Sequence, residues 1–142
     1  MAGYQVTVNW VGGMEFEATP PSGNKFTMDA HPDFGGNGNG PSPVEALLGA
    51  VAGCSAMDVV SILAKMKQKV TGYRIEVDGE RGPVGIYPRP FLSITIKHYV
   101  KGEKLDPKAV EKAVALSDDK YCTVITTLRA APRVDSQWMI EK

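Results

Sequence analysis

The chain has 142 residues, of which 43% are hydrophobic and 23% are charged, as is typical of a single globular domain with a sizeable core. Sixteen basic and sixteen acidic residues cancel, and no long run of like charge is present that would attract nucleic acid or an anionic membrane surface. Composition therefore argues against partners of those two kinds and favours small molecules or proteins.

The first ten residues, MAGYQVTVNW, contain no basic stretch followed by an apolar one. The sequence therefore predicts no secretory signal and a cytoplasmic protein. In a reducing cytosol the two cysteines are expected to be reactive or inert thiols and not a permanent disulfide.

Alternating apolar and polar residues over 4–28 predict a β-meander of three short strands. The stretch that follows, 29–40, is rich in glycine and asparagine and is predicted to be a loop, either a lid or a simple connection.

A long apolar stretch predicts one central helix over 43–68. Ser42 suits the N-cap, Pro43 the first helical position, and Glu45 completes a Ser-x-x-Glu capping box. A membrane span is the alternative, but Asp58 and two glycines interrupt the roughly 20 apolar residues that a bilayer requires. Because apolar residues occupy most of its circumference, the helix must be covered on nearly all sides.

The remaining segments alternate between strand and helix patterns. They predict a long hairpin over 71–100, helices over 107–117 and 119–130, and a final strand over 133–141. No strand–helix–strand crossover is indicated. The expected architecture is α+β, one domain over 1–142 with an antiparallel sheet and a long central helix.

The two cysteines are the main candidates for chemistry. Cys54 lies among glycines and alanines in the middle of the long helix, where a buried thiol can equally be a small inert hydrophobe. Cys122 falls in the predicted first turn of a short helix, a position that favours the thiolate. No Cys-x-x-Cys or His-x-x-x-His spacing is present, so we expect no metal site and no bound cofactor.

These features resemble the OsmC/Ohr family of bacterial thiol peroxidases over essentially the whole chain. The resemblance is carried by Gly40-Pro41-Ser42-Pro43, by Ala52-Gly53-Cys54 and by Lys120-Tyr121-Cys122, and it is greatest for the small OsmC-like proteins. It implies an OsmC-like fold and an intertwined homodimer with both active sites at its interface. It also implies that Cys54 is the peroxidatic thiol and Cys122 the resolving one.

The chain departs from the family pattern at the groups that activate the thiol. No arginine precedes Arg74, and Lys25 is the only cation in the first sixty residues. The family glutamate follows the proline directly, whereas Val44 stands there and Glu45 comes one place later. At about 100° per residue, Glu45 lies opposite Cys54 on the helix. Lys25, Glu45 and Asp58 are therefore kept only as candidate activators, and a slow reaction that speeds up as pH rises is expected.

The expected function is the reduction of organic hydroperoxides in oxidative-stress defence, with an external dithiol as reductant and an apolar pocket near Val51 and Met57. The alternative is a non-enzymatic homodimer that binds a small hydrophobic ligand in the same cleft.

Overall fold

The computed structural model describes residues 3–141. Two compact units make up the chain, Met1–Gly49 and Ala50–Lys142, and the boundary falls within the long helix. That the chain is one domain stays a prediction. The predicted α+β class, with antiparallel sheets and one long helix, is confirmed.

The first unit contains a three-stranded antiparallel meander. Its strands are β1 (Thr7–Gly12), β2 (Glu15–Thr19) and β3 (Phe26–Met28), paired in the order β1-β2-β3. In this register Trp10 lies opposite Phe16, and Phe16 lies opposite Met28. Most side chains of β1 remain exposed, although alternation of this kind normally marks one buried face.

The glycine-rich loop after β3 is organised by one buried acid, Asp29. Its carboxylate accepts backbone N–H groups of Ala30 at 2.7 Å, Asn37 at 3.2 Å and Asn39 at 3.1 Å. Burial raises the pKa of Asp29, but the three N–H donors outweigh it and leave the pKa lowered. The loop is therefore a hydrogen-bonded connection and not an unstructured one.

The long helix, α1 (Pro43–Lys65), begins with the predicted capping box, which is confirmed. The Ser42 backbone N–H donates to Glu45 Oε1 at 3.0 Å, and the Glu45 backbone N–H donates to Ser42 Oγ at 3.2 Å. One row of side chains four residues apart is fully buried: Val51, Ser55, Val59 and Leu63. The described chain thus covers a single stripe of a helix that was expected to be covered on nearly all sides.

Among residues 3–141, α1 alone has the length and apolar composition to cross a membrane, and 22% of its most apolar window is buried. Core helices of soluble proteins meet the same two criteria. That no membrane is involved stays a prediction from the sequence.

The second unit contains a two-stranded hairpin and two short helices. Strands β4 (Lys69–Arg81) and β5 (Phe91–Glu103) pair antiparallel, with Ile75 opposite His98 and Val77 opposite Ile96. Helix α2 (Pro107–Leu116) is capped by Asp106, whose carboxylate accepts the N–H of Lys108 at 3.0 Å. A π-helical turn, Ser117–Tyr121, joins it to α3 (Thr123–Ala130).

The predicted final strand over 133–141 is not formed. None of the described residues after Ala130 lies in a helix or a strand, and Val134, Trp138, Met139 and Ile140 are exposed. A strand is stable only when a second strand pairs with its backbone. The described part of the chain gives this segment no such pairing.

Candidate functional site: a pair of thiols beside a carboxylate

Both cysteines lie in the second unit and are free thiols. Cys54 is on α1, one position before the buried Ser55, and it remains partly accessible. Cys122 is fully buried and packs with Val51 and Ile125, and Cys54 and Ile96 lie against this cluster. The two thiols therefore share one site but differ in accessibility.

The π-helical turn places Cys122. Its backbone N–H donates to the Ser117 carbonyl at 2.8 Å, the five-residue hydrogen bond of a π turn. This turn ends α2 and makes Cys122 the N-cap of α3, where its Sγ accepts the Ile125 N–H at 3.4 Å. Turns of this kind are frequent at functional sites.

Burial raises the pKa of the Cys122 thiol, and the N–H of Ile125 opposes this only in part. The sequence placed Cys122 correctly near a helix start. The inference that this position favours the thiolate was wrong, because loss of solvent around a fully buried sulfur outweighs the backbone N–H donors of Ile125 and Val124.

Asp58 completes the site. The Sγ atoms of Cys54 and Cys122 and a carboxylate oxygen of Asp58 all lie within 4.8 Å of one another. Cys54 and Asp58 are four residues apart on α1, which puts them on the same helix face. The packing thus brings together the two predicted thiols and one of the three candidate activators.

Two buried serines hold the carboxylate. Ser117 Oγ donates to Asp58 Oδ2 at 3.1 Å, and the hydroxyls of Ser55 and Ser117 lie 3.2 Å apart. Both serines are fully buried. The Ser117 hydroxyl is itself hydrogen-bonded to Ser55 and has little freedom to rotate away. This pair of hydrogen bonds therefore fixes the orientation of Asp58 beside the thiols.

The other two candidate activators belong to the first unit and have different partners. Lys25 pairs with Glu17 at 3.5 Å. Glu45 serves the capping box, and the N–H and hydroxyl of Ser42 lower its pKa. The cluster of the second unit contains neither of them.

An apolar groove lies along the face of α1 that carries small residues. It has a volume of about 240 Å³ and is lined by Ala52, Gly53, Ala56, Tyr73 and Ile75. The pocket predicted near Val51 and Met57 is therefore displaced. Val51 is buried in the core and Met57 is 75% exposed, whereas the small side chains one position away leave the space open.

Beside the groove, the Tyr73 hydroxyl hydrogen-bonds His98 Nδ1 at 2.5 Å. Burial raises the pKa of Tyr73 to about 12. Burial also lowers the pKa of His98, and the nearby Asp118 carboxylate offsets part of that effect. The His98 ring is half-buried and paired with Tyr73 across the hairpin.

Sequence reasoning missed Ser55 and Ser117. Their only available signal is a polar residue at a position where helical spacing calls for a core residue, as at Ser55 between Val51 and Val59. Ser117 carries no such mark, because its partners lie on another helix about sixty positions earlier in the chain.

Comparison with known proteins gives concordant matches. The model of a family described as OsmC-like protein matches residues 36–137. Protein YhfA of Escherichia coli strain K12 is 38% identical over 137 residues, which cover 96% of this chain and 97% of YhfA.

Solved structures agree with these matches. A hypothetical protein from Aquifex aeolicus VF5 is 30% identical with a TM-score of 0.74, over 92% of this chain and 90% of that one. An organic hydroperoxide resistance protein OsmC from Legionella pneumophila has a TM-score of 0.66, over 91% and 90% of the two chains. At 14% identity it shares the fold alone.

Proposed function

The chain belongs to the OsmC-like protein family, and from this membership and its paired thiols we propose that it is a peroxidase that reduces organic hydroperoxides in oxidative-stress defence. The observation that carries the proposal is the meeting of Cys54 and Cys122 within 4.8 Å, although they are far apart in the chain. The position of both thiols beside a carboxylate that other side chains hold in place supports a paired chemical role over two inert core cysteines.

The difference in accessibility between the two thiols supports a division of roles in this proposal. Cys54 is partly accessible, so a hydroperoxide can reach its sulfur, whereas Cys122 is fully buried and can react only with a neighbour. Cys54 is therefore the peroxidatic thiol and Cys122 the resolving one, as the family resemblance implies.

The reaction balances in three steps. The Cys54 thiolate attacks the distal oxygen of the hydroperoxide, so that an S–O bond forms and the O–O bond breaks. Cys54 becomes a sulfenic acid, and the alkoxide leaves as an alcohol after taking a proton. Cys122 then attacks the sulfenic sulfur of Cys54, which forms the disulfide and releases water. An external dithiol reduces the disulfide and is itself oxidised.

Asp58 has a proposed part in the second step. The carboxylate lies within reach of both sulfurs, and it can accept the Cys122 proton as that thiol attacks. This matters because burial raises the pKa of Cys122, so at neutral pH the thiol must lose its proton during the reaction.

The assembly in this proposal is a homodimer. Large apolar side chains are exposed in both units, among them Trp10 at 67% in the first and Met57 at 75% in the second. Burying such surface stabilises an assembly by about 25 cal/mol per Å². Sedimentation at micromolar concentration should find a dimer, and a folded monomer would contradict this part of the proposal.

The test of the reaction is mass spectrometry of the reduced protein after one equivalent of cumene hydroperoxide. We expect an intrachain Cys54–Cys122 disulfide. Cys54→Ser should consume no peroxide, and Cys122→Ser should react once and retain sulfenic acid. Both cysteines still reduced in the wild type, or disulfides only between chains, would refute the proposal.

A second candidate function rests on the apolar groove. Its lining of small residues, Tyr73 and Ile75 suits a small hydrophobic ligand, and a protein that only binds would show no turnover. Steady-state peroxide consumption with reduced lipoamide or dithiothreitol separates the two candidates, since turnover requires both the oxidising and the reducing half of the cycle.

A further inference from the structure

The thiol site also has the composition of a metal site. We propose that, with both thiols reduced, Cys54, Asp58 and Cys122 bind one soft divalent cation of the Zn²⁺ type. The prediction of no metal site relied on the absence of a Cys-x-x-Cys motif. The structure instead supplies two ligands four residues apart on α1 and a third from the start of α3.

The distances suit a tetrahedral ion. With Zn–S near 2.3 Å and Zn–O of 2.0–2.2 Å, ligand atoms around zinc lie roughly 3.6–3.8 Å apart. The three atoms here lie within 4.8 Å of one another, so the distances between them must shorten by about 1 Å at most when the ion binds. Three protein ligands and one water are the ligand count of an open zinc site.

The groups behind the ligands are also in place. Metal-ligating carboxylates usually accept a second hydrogen bond that fixes their orientation. Here Ser117 Oγ donates to Asp58 Oδ2 at 3.1 Å and is itself held by Ser55. The Ile125 N–H donates to Cys122 Sγ. Two of the three ligands therefore have an outer partner.

Charge and ligand type favour zinc over magnesium or calcium. Two thiolates and one carboxylate carry three negative charges against two on the ion, and thiolate sulfur prefers soft cations. Binding converts two thiols to thiolates, so two protons are released for each ion bound. No electron is transferred, and both sulfurs remain reduced.

This inference does not depend on the proposed peroxidase activity. It requires only that the three groups meet when the thiols are reduced. If the protein both binds metal and reduces peroxide, the metal-bound form and the disulfide form exclude each other. A metal-bound Cys54 is not free to attack peroxide, and a Cys54–Cys122 disulfide provides no thiolate for the ion.

The experiment uses the full reduced chain, freed of metal by a chelator and kept anaerobic. Zn²⁺ is titrated against a chromophoric chelator, and Co²⁺ is then added as a spectroscopic substitute. We expect one equivalent of Zn²⁺ to bind, with thiolate-to-cobalt charge-transfer absorption and the intense visible bands of a tetrahedral site. Oxidation of the thiols with diamide should abolish both.

Variants locate the ligands. Cys54→Ser and Cys122→Ser should each remove part of the charge-transfer absorption. Asp58→Asn should weaken Zn²⁺ binding by at least tenfold, and Ser117→Ala by roughly 10- to 100-fold. Asp119→Asn is the matched control, because this carboxylate is exposed and outside the cluster, and it should bind as the wild type does.

The wild-type spectrum tests the inference even if a variant fails to fold. A cobalt complex without thiolate charge transfer, or no stoichiometric Zn²⁺ binding by the reduced protein, would overturn it. Equal Zn²⁺ affinity in folded Asp58→Asn and Asp119→Asn would also overturn it, because the carboxylate would then not be a ligand.

Discussion

Helix α1 has two halves within the second unit that differ in what they bury. The thiol half, residues 51–58, buries Ser55 as well as Val51 and holds a partly accessible thiol and a carboxylate. The core half, residues 59–65, buries Val59 and Leu63 against Ala113 of α2. One continuous helix thus carries the thiol cluster at one place and apolar packing about two turns further on.

The difference shows how a polar site can be built inside a small core. Among the described residues, no buried side-chain nitrogen or oxygen lacks a hydrogen-bond partner, so the polar network of the thiol half is satisfied. A satisfied network costs little stability but fixes geometry, whereas apolar packing stabilises without directing any group. The two halves should therefore respond differently to mutation.

The largest expected effect is on activity in the thiol half. Cys54→Ser should abolish peroxide consumption, since the attacking sulfur is lost, while thermal unfolding stays within a few degrees of the wild type because serine is nearly isosteric. Turnover and a melting curve on the same sample test both statements. Residual turnover in this variant would show that Cys54 is not the residue that attacks the peroxide.

The largest expected effect on stability is in the core half. Leu63→Ala should lower the free energy of unfolding by about 2–5 kcal/mol, because it leaves a cavity at a fully buried position. Val60→Ala is the matched control on the same turn; Val60 is 47% exposed and should cost less than about 1 kcal/mol. Denaturant unfolding at fixed protein concentration measures both. Similar decreases in the free energy of unfolding would contradict a single buried stripe on the helix.

An intermediate effect is expected from the serine network behind the thiol half. Ser117→Ala leaves Ser55 and Asp58 without their shared partner and should cost about 1–3 kcal/mol. It should also slow disulfide formation after the first peroxide reaction, because Asp58 is no longer held beside Cys122. Stopped-flow detection of sulfenic acid and disulfide separates the effects: a stability loss without slower resolution would make the network purely structural.

The smallest effect is expected from pH, at the half-buried His98. Its folded-state pKa is lowered, so the unfolded chain takes up the proton first as pH falls. The stability that neutral His98 contributes is therefore present above the ordinary pKa and is lost as pH falls through the lowered one. Once both ring nitrogens carry protons, Nδ1 can only donate to the Tyr73 hydroxyl oxygen, while Asp118 partly compensates for the charge.

The matched measurement compares unfolding of the wild type and His98→Gln between pH 8 and pH 5. The wild type should lose more stability, by less than about 1 kcal/mol because part of the ring is in solvent. Identical slopes would show that the Tyr73–His98 pair carries no pH dependence.

The sequence by itself determined the features that depend on local physics. The capping box of Ser42 and Glu45, the hairpin alternation and the helix start near Cys122 all depend on residues within a few positions of each other, and each is present. The family motifs also lie within short segments, and they identified the family that the comparisons show.

Tertiary structure alone decided which groups meet and which are buried. Asp58, Ser117 and Cys122 form one cluster because α1, the π turn and α3 pack together, and no local pattern encodes a contact across about sixty residues. Burial likewise reversed the expected effect on the Cys122 thiol, and residues 133–141 remained outside any strand. Solvation and strand pairing depend on what surrounds a residue in space, which the spacing of residues along the chain does not specify.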